Sequence, residues 1–393
     1  MMQHTTRTVV KLSPTSTPSV EINTPTSTLI NTIPAPTSTP IPITTLLFTG
    51  VIVPARCVQA VIDKYGEADY LYEEVRHIIQ SADLAIGTFN ATMSDFPPHT
   101  GCIPTYILVS SPTNADAIAG AGFDLMSVAT NHIKDCGLAN CGDRAFFDTL
   151  HHLKRVGVLP VGAGINHAEA MKPVVVSING IRFGFVSLGQ IQQGGVYAEA
   201  DKPGIAMLSE ENITAAIAAA RKISDVVIFM PHWGPEDVAQ PNWIQRNLAH
   251  KIVEAGADLV VGNHTHVVQG IQEIDGVMVF YGLGNFVFDQ WQRDHQQGVI
   301  LLVKFQGSQF IGYKLIPTHV DKDGRVHIAD SEHLSLASKI KELLAVYKEH
   351  EAEISIGAYV PGANVDYDVA VQAREGISAF LEKRKPSWAK DKP

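Results

Sequence analysis

From about residue 45 onward, short apolar runs alternate with segments whose apolar residues recur at helical spacing. This alternation is typical of an α/β domain, in which strands form a buried sheet and helices cover it. Five of the apolar runs predict buried strands. They are "TLLFTGVIV" at 45–53, "DLAIGTF" at 83–89, "DLMSVAT" at 124–130, "DVVIFMP" at 225–231 and "DLVVGNH" at 258–264.

Glycine marks the end of two predicted helices, in "AGFD" at 121–124 and "AGAD" at 255–258. In both joints the glycine stands where a helix needs a left-handed residue at its carboxyl end, and an aspartate opens the next strand. The pattern before the second joint predicts a helix with Pro241 in its first turn. The apolar stripe of that helix consists of Ile244, Leu248 and Ile252.

A different pattern, "VVVSINGIRFGFVSL" at 174–188, places two β-rich runs on either side of Asn179-Gly180. That dipeptide readily adopts the positive φ angles of a type I′ turn, so the segment predicts an antiparallel hairpin. Further strands with short turns are predicted in "IDGVMVFYGLGNFVF", "GVILLVKF" and "FIGYKLIPTHVDKDGRVHI". Two mixed sheets flanked by helices accommodate these hairpins better than one purely parallel sheet.

Composition divides the chain into three parts. Residues 1–44 are predicted to be a disordered tether, because their Pro, Ser and Thr content leaves too little apolar surface to offset chain entropy. Such stalks are common outside the cytoplasm, and a plain flexible tail is the alternative. Residues 45–320 form the predicted α/β domain. Residues 321–393 are predicted to be an appendage without chemistry, with helices at 335–350 and 367–384.

Charge and the start of the chain limit the partners and the location. Lys and Arg total 30 against 40 Asp and Glu, so the net charge is −10, which argues against nucleic acid as a partner. No run reaches the ~20 apolar residues that span a bilayer, and "MMQHTTRTVVKLSPT" lacks the pattern of a secretory signal. An extracytoplasmic location, at the cell surface or membrane-associated, therefore has to be argued from other features.

The four cysteines allow three interpretations. Glycines around Cys136 and Cys141 in "DCGLANCGD" would let a tight loop close as a disulfide, and Cys57 with Cys102 would form a second pair. A zinc site is the second interpretation, although a C-x4-C pair with a distant partner pair is not a usual zinc spacing. Free buried thiols are the third. Disulfides are favoured, and with them an oxidising compartment.

Polar loops follow several of the predicted strands, at "ATNH" (129–132), "MPHWG" (230–234), "GNHTH" (262–266) and "GLGNF" (282–286). Strand ends at one edge of a sheet are where α/β proteins build their sites. A lone histidine at a strand end is more often structural, but several together predict a metal site. The donors suit a borderline divalent ion such as Zn, Mn or Fe. They are Asn131, His132, His232, His264 and His266.

Seven sequence blocks occur in order between about residues 45 and 320, namely "ADLAIGTFN", "AGFDLMSVATNHIKDCG", "GVLPVGAG", "KPVVVSINGIRFGFVSL", "PHWGPE", "AGADLVVGNHTHVVQ" and "VFYGLGNFVFDQ". In these blocks the chain resembles the CapA-like proteins of poly-gamma-glutamate capsule biosynthesis, which look like relatives of the calcineurin-type metallophosphoesterases. The resemblance implies a four-layer α-β-β-α sandwich with mixed sheets and with ligands at the ends of central strands.

The resemblance also implies roles for individual residues. The expected metal ligands are Asn131, His232, His264 and His266. His132 is expected to donate a proton to a leaving oxygen. Positions expected near the metal or the substrate are Asp135, Glu236 and Asn285. Arg56 matches a family arginine and would face an anionic substrate.

Two carboxylates of the family pattern are absent. The family's first strand ends Gly-Asp, whereas this chain reads "FTGVIVPAR", with Val51 at the acidic position. The second strand of this chain ends in "TFN", with Asn90 where the family has an acid. Losing two negative charges weakens the binding of divalent cations, so a site with one metal and a site with none both stay open. Asp95, Asp135 or Glu236 would have to supply any compensating charge.

Three functions are compatible with these observations. The first is an extracytoplasmic CapA-like protein that handles an anionic polymer, such as polyglutamate or a capsular polysaccharide, together with membrane-bound synthesis machinery. The second is a metal-dependent hydrolase that cleaves a phosphoester or an amide. The third is a non-catalytic binding module with a degenerate metal site. The blocks favour the first function, the histidines the second, and Val51 with Asn90 the third.

Overall fold

The structure of the protein is a computed structural model, and it describes residues 41–95, 99–136, 141–190 and 195–329. The predicted tether up to residue 40 and the predicted helices at 335–350 and 367–384 lie outside the described residues, so they stay predictions.

The described residues form short helices and a larger number of strands. The strands are β1 Ile43–Ile52, β2 Leu84–Phe89, β3 Thr92–Met93, β4 Val109–Ser110, β5 Leu125–Ser127, β6 Leu159–Val161, β7 Ala163–Gly164, β8 Val174–Ile178, β9 Ile181–Gly189, β10 Gly204–Ile205, β11 Val226–His232, β12 Leu259–Val261, β13 Ile271–Ile274, β14 Val277–Phe280, β15 Asn285–Val287, β16 Gln297–Gln306, β17 Gln309–Val320 and β18 Val326–Ile328. The α-helices are α1 Cys57–Tyr65, α2 Arg76–Ile79, α3 Thr113–Ala121, α4 Arg144–Arg155, α5 His167–Ala170, α6 Glu210–Arg221 and α7 Trp243–Glu254, with a 3-10 helix at Asp69–Tyr72.

Most of the strands belong to two large sheets. The first has the order β18-β17-β16-β1-β2-β5-β6, and β15 also pairs with β1. Its strands β1, β2, β5 and β6 are parallel, whereas β16, β17 and β18 add antiparallel pairs. The second sheet has the order β13-β14-β12-β11-β9-β8, with a parallel centre and antiparallel edges. Both sheets are mixed, as the hairpin patterns predict.

Alternating side chains of the central strands bury both faces of each sheet. In β1, Leu46 and Phe48 share one buried cluster with Phe183 of the second sheet. Leu47 points to the other face and packs in the cluster that includes helix α3. Phe229 of β11 packs on the outer face of the second sheet, where α6 and α7 cover it. Each such side chain contributes roughly 1.5–3 kcal/mol by burial. The order helix, sheet, sheet, helix confirms the predicted four-layer sandwich.

The aspartates that open the strands have a structural role. The carboxylate of Asp83 accepts a hydrogen bond from the backbone N–H of Thr45 at 2.7 Å. Asp124 accepts in the same way from Ala85 at 2.8 Å. Asp258 repeats the contact in the second sheet. Each carboxylate binds a donor at the start of the neighbouring strand, and this fixes the register of the parallel pairs that carry the site.

The predicted hairpin is confirmed, and one detail of the predicted helix is wrong. Asn179 and Gly180 connect β8 to β9 with φ angles of 52° and 81°. Helix α7 begins at Trp243, and Asn242 caps it through a reciprocal hydrogen-bonded pair with Gln245. Pro241 therefore precedes the cap and is not in the first turn, because a capping box fixes the start of the helix more strongly than a proline does.

All four cysteines are paired, Cys57 with Cys102 and Cys136 with Cys141. The structure thus has the two disulfides that the sequence favoured, and neither the zinc site nor the free thiols. The first bridge closes the longer loop, with a sequence separation of 45 residues, and loops of that length gain roughly 3–4 kcal/mol from cross-linking.

The sheets extend slightly beyond the predicted domain. β1 begins at Ile43, so it includes the last two residues of the segment predicted to be a tether. At the other end β18 pairs with β17, which adds residues after 320 to the first sheet. Within the ranges described, no helix is long and apolar enough to cross a bilayer.

His327 in β18 provides a pH-dependent contact at the edge of the first sheet. Its Nδ1 lies 2.9 Å from Glu74 and its Nε2 lies 3.0 Å from Asp321. Burial lowers the pKa of His327, but the hydrogen bonds and charges of the two carboxylates outweigh it, so the pKa is raised. A raised pKa stabilises the fold below the unfolded value of about 6.5, and the effect is lost as the pH rises through the folded value.

We therefore expect His327→Gln to lower the free energy of unfolding by about 1 kcal/mol at pH 6 and by much less at pH 9. Urea denaturation at the two pH values measures the difference. An equal loss at both would show that packing, and not charge, is what His327 contributes.

Candidate functional site

The candidate site lies where the carboxyl ends of central strands from both sheets meet. Asn263 joins the sheets there, because its Nδ2 donates to Thr88 Oγ1 of β2 at 2.8 Å. The polar residues stand directly at or after strand ends: Asn90 after β2, Asn131 and His132 after β5, His232 at the end of β11, His264 and His266 after β12, and Asn285 at the start of β15. The predicted convergence of distant loops is what the structure shows.

Three of the predicted residues form a tight buried cluster. His232 Nε2 lies 3.0 Å from Asn131 Oδ1 and 3.1 Å from His264 Nδ1. The exposed fractions of His232 and His264 are 1% and 8%. Asn131 is 101 residues from His232 along the chain, so only the sheet scaffold brings them together.

The hydrogen atoms available in this cluster do not satisfy all its contacts. If His232 Nε2 carries a hydrogen, it donates to Asn131 Oδ1. The contact with His264 Nδ1 then has to share that one hydrogen. If His264 Nδ1 carries it, the lone pair of His232 Nε2 faces the amide oxygen with no hydrogen between them. A cation at the centre would use all three lone pairs.

Burial keeps these imidazoles neutral. It lowers the pKa of His232 well below its ordinary value and that of His264 to about 3. Burial also lowers the pKa of His266 to about 4, although a hydrogen bond to Asn285 opposes the shift. Neutral imidazole is the form that binds metal, so the three rings are ready to act as ligands near pH 7.

His266 stands beside the cluster but is engaged elsewhere. Its Nδ1 contacts Asn285 Oδ1 at 2.9 Å, and its Nε2 lies 4.0 Å from Glu236 Oε1. The φ angles of His264 and His266 are 108° and 59°, so the "HTH" segment is a loop and not a strand. The loop turns the two rings apart, with their centroids 6.2 Å from each other.

His132 and Asp135 form a pair at the same edge. His132 Nδ1 lies 2.8 Å from Asp135 Oδ2, and that oxygen also accepts from the backbone N–H of Leu108 at 2.7 Å. The backbone N–H of His132 donates to Asn90 Oδ1 at 3.1 Å. With Nδ1 held by the carboxylate, Nε2 is the ring nitrogen left for chemistry. The pKa of His264 is lowered by burial, and electrostatic repulsion from His266 and His132 adds to the shift.

The Arg56 guanidinium is already paired within the protein, whereas the sequence predicts that it faces an anionic substrate. Its guanidinium pairs with Asp289 through Nε at 3.0 Å and through Nη2, and its Nη1 donates to the carbonyl of Thr105 at 2.8 Å. The charge also lies 4.9 Å from the centre of the Phe288 ring. Asp289 compensates the positive charge, so an anionic ligand would have to compete with it.

The two positions that depart from the family pattern differ in the structure. Val51 is fully buried in the apolar cluster on the helix side of the first sheet. Asn90 is also fully buried, and its Oδ1 accepts from His132 while its Nδ2 has no partner. The charge of Asp95 acts on the pKa of His152 of α4.

Sequence reasoning missed two acidic residues at this edge. Asp289 holds Arg56 and also accepts from the backbone N–H of Cys57 at 3.0 Å. Asp237 Oδ1 pairs with His295 Nε2 at 2.5 Å. Asp289 directly follows the apolar run "NFVF", so the strand-end rule that found the histidines could also have found it.

The cluster lacks the carboxylates and the number of donors that a site for two cations would need. In the part of the chain that the structure describes, no three His, Cys, Asp or Glu side chains are arranged to hold a metal ion. The cluster reaches three donors only by including the amide oxygen of Asn131. Two imidazole nitrogens and an amide oxygen suit Zn, Mn or Fe, and they contribute no negative charge.

The fold and these strand-end loops define a class, the α-β-β-α proteins with a polar site between two mixed sheets. The chain belongs to the bacterial capsule synthesis protein family PGA_cap, whose family model matches residues 45–290. A second model, of the T3SS EscN ATPase C-terminal domain, matches residues 329–386, almost all of which lie outside the described residues.

The relatives carry names from polymer synthesis. "PGA biosynthesis protein CapA" of Bacillus subtilis is 29% identical over 255 residues, which are 64% of this chain and 66% of that protein. "Capsule biosynthesis protein CapA" of Bacillus anthracis is 28% identical over 263 residues, which are 65% of this chain and 62% of the relative. The chain thus spans slightly less than two thirds of the length of either relative.

Solved structures are similar at a lower level. A "novel phosphatase" of Mycoplasma pneumoniae has a TM-score of 0.44 and 11% identity, covering 75% of this chain and 97% of its own. The calcineurin-like phosphoesterase YfkN of Bacillus subtilis has a TM-score of 0.38 and 12% identity, covering 73% of this chain and 88% of its own. TM-scores and identities this low carry no argument about the activity of this chain.

Proposed function

We propose that the protein acts outside the cytoplasm in capsule or poly-gamma-glutamate biosynthesis and that it handles an anionic polymer there. The observation that carries the proposal is the PGA_cap match over residues 45–290, because that range includes every residue of the buried cluster. Two disulfides support an oxidising compartment. The partner we propose is membrane-bound synthesis machinery.

A divalent cation, Mn, Zn or Fe, is part of the proposal. Asn131, His232 and His264 would hold it, and the ring of His266 lies beside them, with its centroid 6.2 Å from that of His264. When bound, such an ion supplies Lewis acidity. The residues themselves orient the ligand, exclude water from the cluster and keep the rings neutral.

A direct test is binding of the purified protein to poly-gamma-glutamate at increasing salt. We expect affinity to fall as salt rises, because screening at a Debye length of about 8–10 Å weakens contacts between charges. An uncharged polymer of similar length, such as dextran, is the control and is expected to bind weakly at every salt concentration. Equal binding of both polymers would contradict the proposal.

Hydrolysis is the second candidate function, and the pair formed by His132 and Asp135 favours it. Asp135 fixes Nδ1 of the ring at 2.8 Å, so Nε2 would donate a proton to a leaving oxygen or nitrogen. The third candidate, a binding module without catalysis, is supported by Val51 and Asn90 at the two acidic positions.

The variant His132→Gln separates these two candidates. If the protein cleaves a phosphoester or an amide, we expect the rate to fall roughly 100-fold or more, while polymer affinity changes little. The readouts are release of phosphate or amine and polymer binding, measured on the same preparation. A wild-type protein that binds the polymer and cleaves neither bond supports the binding module.

A further inference from the structure

We infer that the disulfide between Cys136 and Cys141 is a redox-sensitive element that positions Asp135 and, through Asp135, the ring of His132. Opening the bridge would loosen the carboxylate that holds Nδ1 of the ring. The inference goes beyond the proposed function, because it concerns how the site is assembled and regulated, and it needs neither a metal nor a particular ligand. It follows from the contacts of Asp135, from where the bridge is attached and from the length of the loop that it closes.

Asp135 connects the His132 ring to a neighbouring loop. Its Oδ2 accepts from the backbone N–H of Leu108 at 2.7 Å and lies 2.8 Å from His132 Nδ1. The carbonyl oxygen of Asp135 accepts from Thr92 Oγ1 at 3.0 Å, so its backbone and its side chain are both held. The tautomer of an imidazole is set by the hydrogen bond of the ring nitrogen that does not react. The placement of Asp135 therefore decides which nitrogen of His132 carries the hydrogen.

The bridge is attached directly next to this aspartate. Cys136 follows Asp135 in the chain, and the cross-link ties it to Cys141, shortly before helix α4. A second contact closes the same segment, because Lys134 Nζ lies 2.6 Å from Asp143 Oδ1. The side chain of Asp143 is 37% exposed, and an ion pair with an exposed partner contributes little. The covalent bridge is therefore the stronger of the two closures around Asp135.

The two disulfides of the protein differ in the length of chain that they close. The bridge between Cys57 and Cys102 has a sequence separation of 45 residues, whereas that between Cys136 and Cys141 has a separation of 5. Cross-linking a long loop stabilises a fold more than cross-linking a short loop, since more chain entropy is removed from the unfolded state. Opening the long bridge is therefore expected to weaken the whole fold. Opening the short bridge leaves most of the stability in place and acts where it is attached, at Asp135.

Thiol–disulfide exchange with a dithiol supplies the chemistry. Both cysteines of the short bridge are partly exposed, so the thiolate of a dithiol can reach a sulfur. Its attack breaks the bond between Cys136 and Cys141 and forms a mixed disulfide, and the departing sulfur takes up a proton. The second thiol of the reductant then attacks the mixed disulfide, so the reductant leaves as a disulfide and both cysteines end as thiols. Two electrons pass from the dithiol to the bridge, and an oxidising compartment reverses the reaction.

Nitrogen-15 spectra of the histidine rings test the inference on the full chain. Measured at about pH 9, where ordinary imidazole is neutral, they distinguish a ring with its hydrogen on Nδ1 from one with its hydrogen on Nε2. His132→Gln identifies the His132 signals. We expect the oxidised wild-type protein to have mainly the Nδ1–H form, because the Asp135 carboxylate accepts that hydrogen. When Cys136→Ser is combined with Cys141→Ser, the ratio of the Nδ1–H to the Nε2–H form should fall about threefold or more, as on loss of one hydrogen bond.

Asp143→Asn is the matched control, because it removes the ion pair with Lys134 and leaves the bridge closed. It is expected to change the ratio by less than about twofold. Urea denaturation of each variant checks that the fold is retained. An unchanged ratio in the double serine variant overturns the inference, because Asp135 would then be held without the bridge. An equal fall in Asp143→Asn also overturns it, because the ion pair would then be the closure that positions Asp135.

Reduction of the wild-type protein keeps the test valid if the double serine variant fails to fold. Dithiothreitol is added, and the thiols that form are alkylated and mapped to show which bridge has opened. We expect Cys136 and Cys141 to be labelled before Cys57 and Cys102. The tautomer ratio of His132 should fall about threefold with that first labelling, and re-oxidation should restore it. The inference is overturned if the short bridge opens no earlier than the long one, or if the ratio stays constant after the short bridge opens.

Discussion

His264→Ala is expected to abolish the divalent-cation binding that we propose for the cluster of Asn131, His232 and His264. Removing this ring deletes one of three donors and leaves Asn131 and His232, which are too few to hold an ion against water. Substitution of a residue that only supports the metal ligands typically weakens metal binding by roughly 10–100-fold. Loss of a ligand itself should therefore weaken metal binding by more than about 100-fold. Metal analysis after dialysis is expected to find about one equivalent on the wild-type chain and almost none on the variant.

His77→Ala is the matched control, because His77 is an exposed histidine on helix α2. It is expected to retain the metal content of the wild-type protein. Circular dichroism on both variants checks that the fold is intact. Retention of a full equivalent by His264→Ala would place the metal elsewhere and remove the basis for a cluster of three donors.

Local pattern was sufficient to predict most of the fold. The runs that became β1, β2 and β11 are apolar in sequence because both faces of each strand are buried, and no long-range information is needed to see this. The turn at Asn179-Gly180 is encoded by two adjacent residues. The start of α7 was misplaced by two residues, because the proline signal competes with the capping pair of Asn242 and Gln245.

The site could be predicted in its members but not in its contacts. Strand-end position pointed to Asn131, His232 and His264, because parallel strands bring their carboxyl ends to one edge. The sequence could not show that His266 contacts Asn285 instead of joining the cluster, since a rotation within one loop decides this. It could not show either that Asp289, 233 residues away, would engage Arg56.

Asp289→Ala is expected to lower the free energy of unfolding by about 3 kcal/mol. Only 3% of the Asp289 side chain is exposed, and it receives the guanidinium of Arg56 and the backbone N–H of Cys57. Removing the carboxylate leaves a positive charge in a partly buried place, where the Thr105 carbonyl and the Phe288 ring remain as its contacts. Urea denaturation of the disulfide-bonded protein measures the loss.

The double variant Arg56→Met with Asp289→Ala shows whether the uncompensated charge is the cause. If it is, the double variant should be more stable than Asp289→Ala alone, with a coupling energy of roughly 1–3 kcal/mol. Asp69→Asn is the control at a solvent-exposed pair, where Asp69 lies 3.7 Å from Arg76, and it is expected to cost at most about 0.5 kcal/mol. Additive losses in the double variant would instead mean that Asp289 acts mainly through the Cys57 backbone, because that contact is unchanged by the arginine substitution.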